Sequence, residues 1–423
     1  MNRQLFLGAL LLCFAVLPLR SQQPGGCAPD GNVRFICGVP AAEDLVAVPR
    51  SEWVVASGLS GGGIHLVNTR DFTTIKVFPT AMPRERLDKT AYATCPGPID
   101  PNEKEKFSAH GINVREGAGG VHTVFVVHHG FRESIEVFEV DTRAKPPTFT
   151  WVGCAIAPQT AAFNGVSPVP GGGFVATNPN RRGAGAASPG ATNTGEVFEW
   201  TAKDEWKIVP GSESQGPNGI EASKDGHWLY VNLWPASQVM RLSRGQTPVK
   251  KEVIDLPFHP DNIRWQADGS LFAAGHGGPN TQRVIECLRK VCADATSNVA
   301  RIDPQTLKVQ HLVKYPYNER FSASTIALQV GKEIWLGTIV GDRIADIPSH
   351  GVEIEPIATS SAQAQCVCQL ARGRARATSD FVIRAGQFDQ RGSMVRPLAR
   401  IPASRFFSVR QDGHGPLKSL SLP

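Results

Sequence analysis

Five residues with oxygen-bearing side chains stand at corresponding positions of a recurring sequence pattern: Glu43, Asn164, Asn218, Asp261 and Asn262. Carboxylate and amide oxygens, without sulfur or imidazole, are the ligands that Ca²⁺ prefers, and two carboxylates neutralise its charge. A single Asn-Gly pair is more often a turn than a ligand, so the interpretation depends on all five side chains meeting at one point. The pattern then predicts a calcium site, in which substrate or water fills the remaining positions and the ion can act as a Lewis acid for a carbonyl.

Histidines accompany this set. His110 begins one of the repeated segments, His128 and His129 end the strand that follows it, and His276 ends the comparable strand of a later segment. Histidine titrates near neutral pH, so it can take a proton from water or return one to a leaving group. A structural, hydrogen-bonded role is the favoured interpretation for His128 and His276, whereas a functional role is favoured for His110.

The recurring pattern is a polar triplet, an alternating strand, a turn and a second apolar strand. Its triplets are His110-Gly111-Ile112, Asn164-Gly165-Val166, Asn218-Gly219-Ile220 and Asp261-Asn262-Ile263. Their first residues are 54, 54 and 43 residues apart, which is the length of a four-stranded propeller blade. Corresponding units begin near Glu43 and Ser322, so the sequence predicts six blades.

One unit shows all four strands of a blade. The first strand is expected to begin at Asn218 and to lead into the hairpin turn Asp225-Gly226, and the other strands are expected at residues 228–232, 238–242 and 251–254. We therefore predict an all-β fold, a six-bladed β-propeller with four-stranded antiparallel blades around a central channel, over residues 27–348. The innermost strand of each blade faces that channel, which is why the polar residues of different repeats are expected to converge.

The composition excludes several other classes of protein. The 423 residues are 41% hydrophobic and 19% charged, which is too apolar for a disordered chain. The 42 glycines and 32 prolines indicate frequent turns and argue against helical bundles and coiled coils. The net charge of +6 comes from scattered lysines and arginines, so nucleic-acid binding is not expected.

The N-terminus is typical of a secretory signal peptide over residues 1–21, with an apolar stretch from Leu5 to Leu19. That stretch is shorter than the roughly 20 residues of a membrane-spanning helix, so a retained membrane anchor is the weaker alternative. Eight cysteines remain after cleavage, an even number that indicates disulfides in a secreted or periplasmic protein. The predicted pairs are Cys27 with Cys37, Cys287 with Cys292 and Cys95 with Cys154. Residues 349–423, which contain Cys366 and Cys368, lack the repeat and are predicted to be a disordered tail.

Two further motifs are interpreted as turns. The segment Gly58-Leu59-Ser60-Gly61-Gly62 has the Gly-x-Ser-x-Gly sequence of a nucleophile elbow, but a strand is expected after it rather than a helix. A serine hydrolase with Ser60 as nucleophile is kept as a minor alternative. No helix follows the triple glycine at residues 171–173 either, so a phosphate-binding loop is not expected there.

At these motifs the chain resembles the paraoxonase and arylesterase family of calcium-dependent six-bladed propellers, and more distantly the gluconolactonases. The resemblance covers about residues 40–345 and is most specific at residues 43–45, 110–112, 125–129, 163–166, 218–220 and 261–263. It implies that Glu43, Asn164, Asn218, Asp261 and Asn262 hold the catalytic calcium. It also implies that His110 is the base facing the channel and that His129 is its proton-relay partner.

The chain departs from that family at two places. The family has a second, structural calcium that uses two aspartates; Asp44 is present here, but Gly165 occupies the position of the other. The sequence alone does not decide between one calcium ion and two. Asp346 falls about where the family has the C-terminal cysteine of a disulfide that joins the first and last blades. Ring closure is therefore expected to depend on strand pairing and on other disulfides.

Two functional hypotheses follow from these observations. The first is a secreted, calcium-dependent hydrolase of lactones or aryl esters, with a small-molecule substrate, in which the metal polarises the carbonyl and His110 assists attack by water. The second is a propeller that binds a ligand or partner without turnover, with calcium keeping the channel rigid.

Overall fold

A computed structural model describes residues 27–349, except 101, 104–105 and 182–192, and the backbone of residues 384–388 and 394–400. The predicted signal peptide and the cysteines at 366 and 368 lie outside the described residues. No helix within the described ranges is long and apolar enough to cross a membrane. Residues 27–349 form the β-propeller that the sequence predicts, with six sheets around one channel.

The first three blades follow one another along the chain. Blade 1 contains β2 (Ala42–Ala47), β3 (Trp53–Gly58), β4 (Gly63–Asn68) and β5 (Thr74–Phe78). Blade 2 contains β7 (Ser108–Arg115), β8 (Val121–His129), β9 (Ser134–Asp141) and β10 (Thr148–Ile156), with the short β6 (Arg84–Glu85) parallel to β10. A 3₁₀ helix, Ala118–Gly120, connects β7 and β8. Blade 3 contains β11 (Val166–Pro168), β12 (Phe174–Asn178), β13 (Glu196–Thr201) and β14 (Glu205–Ile208).

The remaining three blades complete the ring. Blade 4 contains β15 (Pro217–Ala222), β16 (Trp228–Leu233), β17 (Gln238–Ser243) and β18 (Lys251–Asp255). Blade 5 contains β19 (His259–Trp265), β20 (Leu271–Gly277), β21 (Thr296–Ile302) and β22 (Val309–Pro316), and the helix α1 (Thr281–Cys287) lies between β20 and β21. Blade 6 contains β23 (Ser324–Val330), β24 (Glu333–Thr338) and β25 (Arg343–Pro348).

The ring is closed by an N-terminal strand, β1 (Arg34–Cys37), which pairs antiparallel with β25 and becomes the fourth strand of blade 6. Arg34 lies opposite Asp346 in this pairing, and its guanidinium forms an ion pair of 2.6 Å with the buried Asp346 carboxylate. The residue at the position of the family's cysteine thus contributes to closure through a salt bridge.

Three disulfides link described residues, and all three are the predicted pairs: Cys27–Cys37, Cys95–Cys154 and Cys287–Cys292. The first ties the N-terminal segment to the closing strand β1. The last joins the end of α1 to the loop after it. Disulfides are consistent with an extracellular protein.

The two motifs interpreted as turns lie in hairpins. Ser60 is in the turn between β3 and β4, with a φ of 55°, and no helix follows it. Gly171 and Gly172 connect β11 and β12, both with positive φ. Neither location supports a nucleophile elbow or a phosphate-binding loop.

The predicted disordered tail falls mostly outside the described residues. The two described segments there, β26 (Arg384–Phe388) and β27 (Met394–Arg400), pair as an antiparallel hairpin, a strand pair that the sequence analysis does not predict. This hairpin belongs to a separate compact unit.

The innermost strands contact one another in the order β2, β7, β11, β15, β19, β23 and back to β2. Glycines make this approach possible. A Cβ atom on Gly111 would lie 2.3 Å from the carbonyl oxygen of Asn164, and one on Gly219 would lie 2.5 Å from the Cα atom of Asn262. The glycine in three of the four triplets is therefore a position of close backbone approach between neighbouring blades.

We expect Gly111→Ala to lower the free energy of unfolding by about 3 kcal/mol, clearly more than its control, because its methyl group would overlap a backbone carbonyl of the next blade. Gly269→Ala is the control: its Cβ would meet nothing within 4 Å, so only the left-handed backbone costs energy, about 1 kcal/mol. Denaturant unfolding followed by circular dichroism measures both. Equal losses in the two variants would contradict the proposed close approach.

Candidate functional site

The predicted site residues meet at one end of the channel. Glu43 lies on β2, His110 on β7, Asn218 on β15, and Asp261 and Asn262 on β19. Asn164 lies two residues before β11, and its backbone N–H donates to the Thr177 carbonyl of β12. We call these six residues the mouth layer.

The same irregularity of the backbone presents these side chains in four blades. In each innermost strand one extra residue interrupts the pairing with the next strand, between Ala42 and Leu45, Ala109 and Ile112, Pro217 and Ile220, and Pro260 and Ile263. Such a β-bulge bends the strand and re-aims a side chain. The polar residues of three triplets and Glu43 occupy these bulges, so those triplets mark bulges at the channel rather than hairpin turns. Asn164 instead precedes β11, whose pairing with β12 shows no such shift.

Short contacts connect the mouth layer. The amide nitrogen of Asn262 donates to Glu43 Oε1 over 2.7 Å, and His110 Nε2 lies 3.6 Å from the same oxygen. Asn164 Nδ2 lies 3.3 Å from His110 Nε2. Residues from four different blades therefore surround one small volume of the channel.

Several oxygens of this layer are buried without a partner. Glu43 Oε2, Asn164 Oδ1 and Asn218 Oδ1 have no hydrogen-bond donor among the described residues. A buried polar atom left unsatisfied costs about 1–3 kcal/mol. Three such oxygens beside the carboxylate of Asp261 form a donor set that suits a hard divalent cation, and the residues present fit Ca²⁺.

The electrostatics of the two carboxylates agree with this fit. Burial, followed by the charges of Asp44 and Asp261, raises the pKa of Glu43 well above its usual range. Burial also raises the pKa of Asp261 to about 8. Negative charge is thus disfavoured at both groups by the protein alone, and a divalent cation would compensate it.

A chain of hydrogen bonds leads from the mouth layer to a carboxylate. His110 Nδ1 lies 2.9 Å from His129 Nε2, and His129 Nδ1 lies 2.8 Å from Glu133 Oε2. The carboxylate accepts, so we assign the His129 proton to Nδ1; His129 Nε2 then accepts from His110 Nδ1–H. This tautomer leaves the lone pair of His110 on Nε2, the atom beside Glu43 and Asn164. Burial, and secondarily His129, lowers the pKa of His110 to about 3, which favours its neutral form.

Glu133 is a site residue that the sequence analysis missed. It lies in the loop between β8 and β9, four residues after His129, and is partly buried. The sequence did contain one indication, a glutamate four residues after His129 whose carboxylate could hydrogen-bond to that histidine across the turn after β8. A single glutamate in a hairpin loop is common, so that signal is weak without the fold.

The other two histidines differ from each other. His128 is buried, stacks on Phe107 with ring centroids 4.6 Å apart, and contacts the Ser108 carbonyl over 3.3 Å, which agrees with the structural role. His276 lies at the channel: its Nδ1 accepts from the Trp234 indole over 2.9 Å, and its Nε2 is 3.7 Å from Asp261 Oδ2.

A second group of charged residues lies one to three positions further along the innermost strands. Its members are Asp44 on β2, Glu221 on β15 and Arg264 on β19, all buried. We call this group the inner layer. A cavity of about 540 Å³, lined by Arg264, Glu221 and Ser167 among others, opens beside it. Of this group, only Asp44 is implied by the family resemblance of the sequence.

No family model matches the sequence, and no curated protein is significantly similar to it. Several solved structures are similar to this one. A luciferin-regenerating enzyme is 12% identical, with a TM-score of 0.46, and the alignment covers 76% of this chain and 96% of that one. A candidate gluconolactonase is 14% identical, with a TM-score of 0.45 and coverage of 78% and 97%. The calcium-binding protein regucalcin from Agrobacterium tumefaciens is 13% identical, with a TM-score of 0.43 and coverage of 76% and 95%. This likeness concerns the fold, and what the channel can do follows from its side chains.

We expect Asn218→Ala to weaken calcium binding by at least about tenfold, because it removes an unpartnered oxygen of the mouth layer. Isothermal titration calorimetry of the calcium-free protein measures the affinity. Asn102→Ala, at an exposed asparagine outside the channel, is the control and should bind as the wild type does. Unchanged affinity in Asn218→Ala would remove Asn218 from the calcium site.

Proposed function

We propose that the protein is a secreted, calcium-dependent hydrolase that acts on lactones or aryl esters. The observation that carries this proposal is the hydrogen-bonded chain Glu133, His129, His110, which ends at an acceptor nitrogen beside the unpartnered oxygens of the mouth layer. A base and a cation site directed at the same volume are what metal-assisted hydrolysis needs.

Each residue of the chain has a defined part in this reaction. His110 Nε2 accepts a proton from the attacking water and later returns it to the leaving oxygen. As His110 becomes positive, its Nδ1–H remains hydrogen-bonded to His129, which is held in place by the Glu133 carboxylate. The negative charge of Glu133, at the end of the hydrogen-bonded chain, then stabilises the one positive charge on the two imidazoles.

The mouth layer would supply the cation site. Glu43, Asn164, Asn218, Asp261 and Asn262 would hold the ion, and the hydrogen bond from Asn262 keeps Glu43 oriented. Bound calcium supplies polarisation of the substrate carbonyl and stabilisation of the oxyanion. The substrate class comes from the resemblance to the paraoxonase and arylesterase family.

The proposed location outside the cytoplasm has independent support. Three disulfides are formed in the propeller, and the N-terminal sequence is typical of a secretory signal. The proposed substrate is a small molecule, and no nucleic-acid partner is proposed, since the basic residues are scattered along the chain.

We expect the purified protein to hydrolyse phenyl acetate or a member of a small lactone panel. A calcium chelator should abolish the activity, and calcium added back should restore it. His110→Gln should lower kcat by about 10²–10⁴-fold, the usual contribution of a positioned base. His227→Gln, at an exposed histidine, is the matched control. A protein that binds calcium but hydrolyses none of these substrates would favour the ligand-binding propeller instead.

We expect Glu133→Gln to lower kcat by roughly tenfold or more with little change in KM, because the amide keeps the shape of the carboxylate but not its charge. Steady-state kinetics on the best substrate measure both constants. Glu319→Gln, at an exposed glutamate, serves as the control. A rise in KM with unchanged kcat would assign Glu133 to substrate binding rather than to the histidine chain.

A further inference from the structure

The two layers of the channel differ in how their oxygens are satisfied. In the mouth layer, oxygens of Glu43, Asn164 and Asn218 are buried without donors among the described residues. In the inner layer, the carboxylates of Asp44 and Glu221 already have donors on every oxygen. The inner layer thus contains a cation of the protein itself, the guanidinium of Arg264, which pairs with both carboxylates.

Arg264 reaches three other blades from its place on β19. Its Nη2 lies 2.7 and 2.8 Å from the two carboxylate oxygens of Asp44 on β2, and it donates to the Ile112 carbonyl of β7 over 2.9 Å. Its Nη1 donates to Glu221 Oε1 of β15 over 2.8 Å. One side chain thus links the innermost strands of blades 1, 2, 4 and 5.

The remaining contacts of these carboxylates come from the protein as well. Asp44 Oδ1 accepts from the Leu45 N–H and Asp44 Oδ2 accepts from the Ile112 N–H, both over 2.8 Å. Glu221 Oε2 accepts from the Ser167 hydroxyl over 3.1 Å. A metal ion at Asp44 would have to displace the guanidinium, since both oxygens and the neighbouring carbonyl of Ile112 are engaged.

Gly165 also excludes the second aspartate that the family resemblance led us to look for. A Cβ atom there would lie 2.9 Å from the carbonyl oxygen of Asn218 and 3.1 Å from the Cα atom of Gly219. The close approach of blades 3 and 4 therefore leaves no room for a side chain. The residues of the inner layer do not fit a structural calcium.

We propose that the channel binds one divalent cation, at the mouth layer, and that Arg264 is the permanent cation of the inner layer. The fold then does not require calcium. The statement about Arg264 stands on its own contacts, whereas the count of one ion rests on the calcium site of the proposed function.

Arg264 is a positioning residue for the mouth layer. It follows Asn262 by two positions on β19, and its partner Asp44 directly follows Glu43 on β2. The ion pair therefore holds the two strand segments whose side chains form the Asn262 to Glu43 hydrogen bond of 2.7 Å.

The first experiment counts ions. The full chain is dialysed to equilibrium against calcium, and calcium per chain is measured by plasma mass spectrometry. We expect one ion, with the β-sheet circular dichroism and a cooperative thermal transition kept in excess chelator. Two tightly bound ions, or unfolding on chelation, would overturn the assignment of Arg264. No bound ion in a folded chain would instead overturn the calcium site of the proposed function and leave Arg264 as assigned.

The second experiment removes the built-in cation. Arg264→Met leaves two buried carboxylates beside the open cavity, so its melting temperature in chelator should fall and its calcium content should rise from one ion to two. The triple variant Arg264→Met, Asp44→Asn, Glu221→Gln should bind one ion again. Arg301→Met, at a half-exposed ion pair with Asp268, is the control and should change neither quantity.

If Arg264→Met does not fold, Arg264→Lys is tested in its place, because lysine keeps the positive charge but loses the bidentate geometry of the guanidinium. This variant should fold, bind one ion and melt below the wild type in chelator. A wild-type melting temperature together with one ion in Arg264→Met would show that the guanidinium has no structural role, and would overturn the proposal.

Discussion

The ion pairs of one buried arginine set the geometry of the channel. A charge removed from water costs several kcal/mol unless it is fully paired, and breaking such a pair costs about 3–5 kcal/mol. The two Nη atoms of Arg264 are paired only while Asp44, Glu221 and the Ile112 carbonyl all stay within hydrogen-bond distance, and its Nε has no partner among the described residues. These partners belong to three other blades. The innermost strands of blades 1, 2, 4 and 5 therefore cannot separate or slide past one another without breaking contacts of this buried charge.

The same closeness explains the form of the repeated triplets. Strands that approach this tightly have no space for a side chain at Gly111, Gly165 or Gly219. The bulge that contains a triplet then gives the adjacent polar residue its direction into the channel. Glycine and the residue before it thus have separate tasks, the first in packing blade against blade and the second in presenting an oxygen or nitrogen atom. The spacing of the pattern follows from the length of a blade.

This division explains how much the sequence could predict. The blades, their strands and the two short-range disulfides, Cys27–Cys37 and Cys287–Cys292, carry local signals, such as Asp225-Gly226 between two apolar strands, and the structure confirms them. Cys95–Cys154 is confirmed as well, but it spans 59 residues and has no such signal. The residues of the mouth layer could be predicted from the sequence because they repeat at blade spacing. The role of Arg264 could not be predicted from the sequence, because its partner Asp44 is 220 residues away and a single arginine in a strand does not repeat at blade spacing. The same holds for Glu133, and for the closing strand β1, which carries no triplet.

The charges of the channel show why the two layers must differ. The described residues Glu43, Asp44, Glu221 and Asp261 are four buried acidic groups, and Arg264 supplies one positive charge among them. Burial raises the pKa of all four carboxyls. The arginine cannot lose its proton, so the inner layer keeps its cation under all conditions in which the protein is folded. The mouth layer has oxygens without donors among the described residues, and in the proposed function an ion from solution would pair with them. A fixed cation at the inner layer and an exchangeable one at the mouth layer would separate the stability of the ring from the chemistry of the site, so that the ion can leave and return without unfolding of the propeller.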